Sequence, residues 1–297
     1  MLEADRGPGA MRRLLALMRL PFFTQLSPPT LARLANQSVE RAVRAGEPVS
    51  PSDGRTIRIF PSGAELRART LLAGSSRLPT HIPELIPWLA GSISVCEISP
   101  ALDGVVFSID VTDLTAALQD EFALYLAIAR EIARDIDGTG MASGTQDRDH
   151  AGRPMLLDPS LRLDLVSRVR FLRDALPLGR QYVDALFQIA RHASELRAVH
   201  GDRLWTEGDP SDVALIPLRG AVSGVSRGGE VFTMRPGAPV GGLDVFARRT
   251  RGFTATAKGE LVALSFPVER FIDVLEDHPD LALDVLRALS RQWLARP

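Results

Sequence analysis

The sequence predicts a mainly β protein with helices, built from two units that follow each other along the chain. Two observations lead to this prediction. Similar segments recur roughly 155 residues apart, and in each copy short apolar runs separated by Gly, Pro and Asp lie between helical stretches. Apolar runs that recur roughly every 8–12 residues are typical of an antiparallel roll, barrel or sandwich.

The internal similarity is strongest near the end of each copy. VVFSIDVTDLTAALQDEFALYLAIAREIARDI, from Val105, matches VALSFPVERFIDVLEDHPDLALDVLRALSRQWL, from Val262, without a gap. Upstream, AGEPVSPSDG matches HGDRLWTEGD, and a stretch with apolar residues at helical spacing precedes each. Because three segments agree in the same order, we infer a duplication.

A polar segment separates the two copies. IDGTGMASGTQDRDHAGRP is rich in Gly, Ser, Thr and Asp and lacks an apolar period, which is typical of a linker. We therefore predict a first domain over 11–137, a linker over 138–160 and a second domain over 161–297. Limited proteolysis is expected to cut the linker first, with Arg148 and Arg153 as tryptic sites.

The second copy has the clearer pattern of elements. LPLGRQYVDALFQIARHASEL predicts a helix, RLWTEGDPSDVALIPLRGAVSGVSRGGEVFTMRPG predicts several strands, and TATAKGELVALSFPVERF continues them before the chain becomes helical. Glu276, Asp277 and Asp280 are expected at the start of the last helix, where acidic side chains favour the positive end of the helix dipole.

Composition limits the function. The 297 residues carry a net charge of −1, so no overall field attracts nucleic acid or an anionic membrane. Cys96 is the single cysteine, which excludes an internal disulfide and fits a reducing, cytoplasmic location. No signal peptide or membrane span is evident. The five histidines lack metal-ligand spacing and no catalytic set emerges, so we expect neither a metal nor an enzyme.

The second copy resembles a known family. Two segments resemble the cyclic nucleotide-binding domain of catabolite activator proteins, kinase regulatory subunits and gated channels. They are HGDRLWTEGDPSDVALIPLRGAVSG and MRPGAPVGGLDVFARRTRGFTATAKGELVALSFPVERFIDVLEDHPDLALDVL. The resemblance covers roughly 165–297 and, more weakly, 11–137. It implies two tandem antiparallel β-rolls (double-stranded β-helix, jelly-roll-like) flanked by helices. The family's turn residues fall at Gly201, Gly208, Asp209, Gly220, Gly237 and Gly241.

The resemblance also implies a phosphate-binding cassette in PVGGLDVFARRTRGFTATA. In the family a Gly-Glu pair opens a one-turn helix and an Arg follows. Helix N–H groups and a guanidinium both suit a phosphate, and the Glu accepts from the ribose hydroxyl. Here Gly242 stands in the place of the Glu. The predicted ligand-binding residues are Gly241, Gly242, Leu243, Asp244, Arg251 and Gly252. The implied ligand is cAMP or cGMP, and no cofactor is required.

The first copy departs further from the pattern. TLLAGSSRLPTHIPELIPWLAG has neither a Gly-Glu opening nor an Arg before the returning strand, so we expect no nucleotide there. Its prolines predict a rigid, irregular excursion. Leu85, Ile86 and Trp88 offer an apolar contact, in which Trp88 belongs either to the core or to a partner surface.

Two functions remain open from the sequence. One is a sensor or adaptor whose second domain weakly binds a cyclic nucleotide or another phosphorylated ligand. The other is a nucleotide-free scaffold that binds a protein partner through degenerate rolls. Leu283, Leu286 and Trp293 either form a homodimer face or pack back on the roll. The family's transcription factors continue into a helix-turn-helix, whereas this chain stops at Pro297, so we expect no DNA binding.

Overall fold

The computed structural model describes residues 8–20, 22–49, 54–61, 64–67, 82–92, 97–137, 162–175 and 181–295. They divide into two compact units: one has the described residues up to Ile128 with Leu286–Ala295, the other those of Ala129–Val285. The predicted linker over 138–160, with Arg148 and Arg153, lies outside the described residues, as does Cys96. The domain boundaries therefore stay a prediction.

The first half of the chain contains helices and five short strands in its described part. The elements are α1 Pro8–Met18, a 3-10 helix Phe23–Gln25, α2 Pro28–Gln37, β1 Val39–Val43, β2 Thr56–Ile59, β3 Ala64–Arg67, α3 Leu85–Leu89, β4 Glu97–Pro100, β5 Gly104–Asp110, α4 Val111–Asp120 and α5 Phe122–Asp137. β5 lies between β1 and β2, and β3 pairs with β4, all antiparallel.

The second half likewise has helices before and after its strands. Its elements are α6 Leu165–Ala175, α7 Val183–His192, β6 Ser194–Ala198, β7 Arg203–Trp205, β8 Val213–Ser226, β9 Val231–Met234, α8 Gly242–Phe246, β10 Phe253–Pro267, α9 Val268–Asp277 and α10 Pro279–Leu294. Two of its strands, β8 and β10, are long. The strands pair antiparallel in the order β6-β10-β8-β9, and β7 pairs with β10.

The sheet of the second half encloses an apolar core. Side chains of β7 to β10 on one face form this core, and the turns between strands are polar. Period-2 alternation produces the arrangement, because alternate residues of a strand point to the same face. The predicted fold class, antiparallel β-rolls with flanking helices, is confirmed.

Equivalent elements have equal lengths in the two halves. α3 and α8 have five residues each, α4 and α9 ten, and α5 and α10 sixteen. The second member of each pair starts 157 residues after the first, which is the offset of the sequence match from Val105 to Val262. The duplication itself stays a prediction.

The excursion predicted between 79 and 87 contains a helix in its described part. α3 starts at Leu85, and both Leu85 and Ile86 are buried while Trp88 is partly exposed. The preceding residue, Glu84, is 2% exposed and forms a buried ion pair with Arg58 of β2. The expectation of irregular chain was wrong here, because prolines in the first turn of a helix are tolerated.

The end of the chain is two helices rather than the one predicted. α9 ends at Asp277 and α10 begins at Pro279. Glu276 and Asp277 therefore lie at the end of α9, and only Asp280 is at the start of a helix, where the helix dipole favours an acidic side chain. A residue before proline avoids helical backbone, which places the break at His278. Within the described residues, no helix is both long and apolar enough to span a bilayer.

The predicted dimer face is buried by the chain itself. Leu283, Leu286 and Trp293 are 7%, 0% and 1% exposed. Burial leaves little of these side chains free to contact a second copy, and packing on the roll stays a prediction. A homodimer stays a prediction that would need another surface.

Candidate functional site

A short helix opens at the predicted cassette. Gly241 has φ 77° and ψ 0°, the left-handed region that glycine adopts most readily, and α8 begins at the next residue. Val240 before it exchanges two backbone hydrogen bonds with Leu215 of β8, of 2.7 and 2.9 Å. The start of α8 is therefore fixed against the roll.

The Arg251 side chain extends from the loop just before β10 to the start of α8. Its guanidinium donates to the backbone carbonyl of Gly241 at 3.1 Å and to that of Val213 at 2.6 Å. Arg251 is only 2% exposed. A buried guanidinium needs acceptors for its N–H groups, and these two carbonyls serve Nη1 and Nη2.

Gly241 and Arg251 are in direct contact. A Cβ added at Gly241 would lie 2.3 Å from Nη1 of Arg251 and 3.3 Å from a ring atom of Trp205. Only glycine allows the guanidinium to lie against the backbone here. In this conformation Arg251 donates to carbonyls of the protein itself, and the binding of a phosphate between α8 and Arg251 stays a prediction.

Aromatic rings complete the wall of the site. The guanidinium carbon of Arg251 lies 4.2 Å from the ring centre of Trp205, a cation–π contact. Trp205 and Phe232 each pack edge-on against Phe253, with centroids 5.6 and 5.1 Å apart. The interior of the roll beside Arg251 is thus filled by three rings.

Two N–H groups in this contact have no acceptor. Among the described residues, neither Nε of Arg251 nor Nε1 of Trp205 has a hydrogen-bond partner, although both atoms are buried. Buried donors are normally paired, so both mark a place where an acceptor would lower the free energy.

Negative charge surrounds the guanidinium. Burial lowers the pKa of Arg251, and the nearby carboxylates of Asp244, Asp212 and Asp209 oppose this shift because they favour the charged form. Asp244 is itself 2% exposed and its carboxylate accepts from Gly252 N at 3.5 Å. The Asp244 carboxylate therefore serves the protein's own structure in this conformation.

The turn before β8 is tied to the same residue. Arg251 N donates to Asp209 O, and Gly208 N donates to Arg251 O, both at 2.9 Å. Asp209 also closes its own turn, because its carboxylate accepts from Thr206 N at 2.7 Å. The predicted turn at Gly208 and Asp209 is observed, and it holds the backbone of Arg251 in place.

Gly242 has room for a side chain. Its φ lies outside the left-handed range, and an added Cβ would meet only the Ala214 Cβ, at 3.9 Å. Gly242 and Leu243 are partly exposed, and Gly252 is exposed. The structure thus brings the six predicted residues together at one end of α8, while their role as ligand-binding residues stays a prediction.

Sequence reasoning missed three partners of Arg251. Trp205, Val213 and Asp209 lie 38 to 46 residues away along the chain, and no spacing rule connects them with the cassette. The only available signal was that Trp205 lies three residues before Gly208, a predicted turn glycine.

Among the described residues, no group of His, Cys, Asp and Glu could hold a metal ion.

One part of the second half matches a known family. Residues 195–278 match the family model of the cyclic nucleotide-binding domain, and the match includes all six predicted ligand-binding residues. This confirms the resemblance for that stretch; the degenerate first copy stays a prediction. A search of curated protein sequences gives no match.

Several solved structures are similar to the chain. The N-terminal domain of a transcriptional regulator from Streptomyces coelicolor A3(2) has 28% identity over 41% of this chain and 90% of its own, with a TM-score of 0.36. A triple mutant of the regulatory subunit of a cAMP-independent protein kinase A from Trypanosoma brucei, bound to cAMP in the A site, has 14% identity over 97% of this chain and 93% of its own, with a TM-score of 0.35.

The cAMP-bound regulatory domain of Toxoplasma gondii protein kinase A has 14% identity over 96% of this chain and 97% of its own, with a TM-score of 0.33. Superpositions at these TM-scores define neither a ligand nor a partner for this chain.

Proposed function

Residues 195–278 match the family model of the cyclic nucleotide-binding domain, and from this premise we propose that the protein is a non-enzymatic regulator whose second domain weakly binds a phosphorylated ligand such as cAMP or cGMP. One observation carries the proposal: the Arg251 guanidinium lies against Gly241, directly before the first residue of α8. A guanidinium and the free N–H groups of a helix start are complementary to a phosphate.

Ligand binding requires Arg251 to exchange partners. A phosphate that takes the guanidinium replaces its bonds to the carbonyls of Gly241 and Val213. The two bonds to neutral carbonyls are already charge-assisted, so a phosphate improves on them through the attraction between opposite charges and its two-pronged geometry, and the two lost bonds reduce the net gain. The unpartnered Nε of Arg251 is a donor that the ligand could satisfy without any loss.

The ribose would be held poorly. The family resemblance implies a carboxylate where Gly242 stands, and such a bond contributes roughly 1.5–3 kcal/mol, or about ten- to a hundredfold in affinity. Asp244 does not replace it, since its side chain is buried beside Gly252 N. We therefore expect affinity for cAMP or cGMP in the micromolar range or weaker, with little discrimination between the bases.

Ligand binding at Arg251 would be transmitted to the helices after the roll through a few backbone contacts. Arg251 holds the carbonyl of Val213, and the preceding carbonyl, of Asp212, accepts from the N–H of Val268 at 3.0 Å. Val268 is the first residue of α9. Withdrawing Arg251 from Val213 would free the peptide next to the one that anchors α9, so ligand binding would shift the position of this helix.

The competing function is a nucleotide-free scaffold that binds a protein partner. It is favoured by the interior of the roll, in which Trp205, Phe232 and Phe253 pack on one another and Arg251 is already engaged. In this alternative Arg251 is a structural residue and the cassette has no ligand.

Calorimetry with cAMP and cGMP decides between the two functions. Gly242→Glu should strengthen binding by up to about a hundredfold, because the side chain fits beside Ala214 and restores the carboxylate. Arg251→Ala should abolish binding, and Arg251→Lys, which keeps the charge but loses the two-pronged donor, should weaken it at least about tenfold. Arg270→Lys, at an exposed pair with Asp273, is the control.

Thermal unfolding of each variant separates lost binding from lost folding, since Arg251 also ties the backbone together. If neither the wild type nor Gly242→Glu binds a cyclic nucleotide at millimolar concentration, the scaffold function stands and the sensor function is wrong.

A further inference from the structure

Three arginines meet at the opposite end of α8 from Arg251. The end of α5, from Ala129, belongs to the same compact unit as the cassette. There Arg134 Nε donates to the carbonyl of Ala247, the residue that caps α8, at 3.4 Å. Arg130 lies one helical turn before Arg134, and Arg248 follows Ala247 directly, so both flank this contact.

The surroundings of these arginines are electrostatically unfavourable. Burial lowers the pKa of Arg130, and the positive charges of Arg248 and Arg134 lower it further. Nε of Arg130 is buried and lacks an acceptor among the described residues. Among the described side chains, neither Arg130 nor Arg248 forms a salt bridge, and Arg134 has only an exposed pair with Glu131, at 3.3 Å.

The end of α8 fixes the backbone position of Arg248. Arg248 has φ 52°, and it is the single non-glycine residue with positive φ in the described part of the chain. Its N–H donates to Val245 O at 3.0 Å and that of Arg249 donates to Asp244 O at 2.9 Å, which is the pattern of a helix that ends in one left-handed residue. The helix end therefore places Arg248 beside the contact of Arg134, where like-charge repulsion and an unpaired buried donor coincide.

We propose that Arg130, Arg134 and Arg248 form a second anion site, which binds a phosphoryl group carrying two or more negative charges, as in a phosphate monoester or pyrophosphate. Such a group has several acceptor oxygens within a small volume, which matches guanidinium groups that come from one helical turn and an adjoining loop. An extended acidic peptide would place its charges too far apart for this cluster. The site is separate from Arg251 and does not rest on the proposed function.

Isothermal titration of the full chain with pyrophosphate at low ionic strength tests the proposal, since salt screens exposed charges. Arg248→Gln and Arg130→Met should each weaken binding at least about tenfold, because each removes charge-assisted bonds. Arg270→Gln, which removes an exposed charge elsewhere, should leave binding unchanged. Arg251→Lys is measured alongside, because a loss of binding confined to that variant would assign the pyrophosphate to the cassette instead.

Unfolding provides a second measurement. Without pyrophosphate, Arg248→Gln should raise the melting temperature, because it relieves repulsion, and pyrophosphate should raise that of the wild type more than that of the variant. The proposal is overturned if pyrophosphate does not bind at millimolar concentration, if Arg270→Gln weakens binding as much as Arg248→Gln, or if only Arg251→Lys weakens it. Binding of a hexaglutamate peptide in place of pyrophosphate would also overturn it.

Discussion

Replacing Gly241 by alanine tests whether Arg251 depends on the missing side chain. The new Cβ would lie 2.3 Å from Nη1 of Arg251, closer than any stable contact, so the guanidinium must move away from the Gly241 carbonyl. Gly259 provides a matched control, because it has the same φ of 77° and its added Cβ meets nothing within 4 Å. The two variants share the backbone strain and differ in the contact.

The magnitudes follow from these two terms. Alanine in left-handed backbone lowers the free energy of unfolding by about 1–2 kcal/mol, and this loss is common to both variants. Displacing a buried guanidinium from its acceptors lowers the free energy of unfolding by roughly 2–3 kcal/mol more, and only Gly241→Ala has this second loss. In a unit of this size each kcal/mol lowers the melting temperature by about 2–4 °C, so Gly241→Ala should melt roughly 4–12 °C below Gly259→Ala.

Urea and thermal unfolding of the full-length variants measure the difference. Tryptophan fluorescence is a suitable signal, since Trp205 is the ring on which Arg251 lies. Equal losses of stability in Gly241→Ala and Gly259→Ala, within about 0.5 kcal/mol, would refute the reasoning, because they would show that only the backbone matters at this position.

Two further predictions concern carboxylates of the first unit. Glu84→Gln should cost about 3–5 kcal/mol in urea unfolding, because it leaves a buried arginine charge uncompensated. Asp120→Asn, in an exposed pair, should cost under about 1 kcal/mol, and similar losses in both would contradict the argument. Hydrogen bonds from Ser27 and then Thr30 lower the pKa of Glu121 below its usual 4.5. The stability that Glu121 contributes is therefore present above this pH and is lost as the pH falls through the folded-state pKa. The deficit of Glu121→Gln should shrink as the pH falls below 4.5, and a constant deficit would contradict the argument.

The order of elements was predictable because its signals are local. Apolar alternation, turn residues such as Gly208 and Asp209, and helical spacing each operate within a few residues. The boundary between α9 and α10 was missed although Pro279 marks it, because the apolar period continues on both sides of His278.

The first copy shows the limit of local reasoning most clearly. Its sequence correctly lacks the Gly-Glu opening, yet nothing indicates that Glu84 pairs with Arg58, 26 residues earlier and on a strand. An isolated charged residue reads as exposed, and only the fold shows that the two side chains neutralise each other in the core.

The sequence by itself predicted that Gly241 and Arg251 belong to one site, since the turn glycine and the arginine are recognisable from their order along the chain, and the two residues are in contact in the structure. Only the tertiary structure decided how Arg251 is used. Its acceptors at Gly241 and Val213 and the ring of Trp205 arrive from separate strands and turns, and burial obliges the guanidinium to pair with whatever acceptors the fold provides. The cluster of Arg130, Arg134 and Arg248 arises in the same way, because the fold brings the end of α5 to the end of α8.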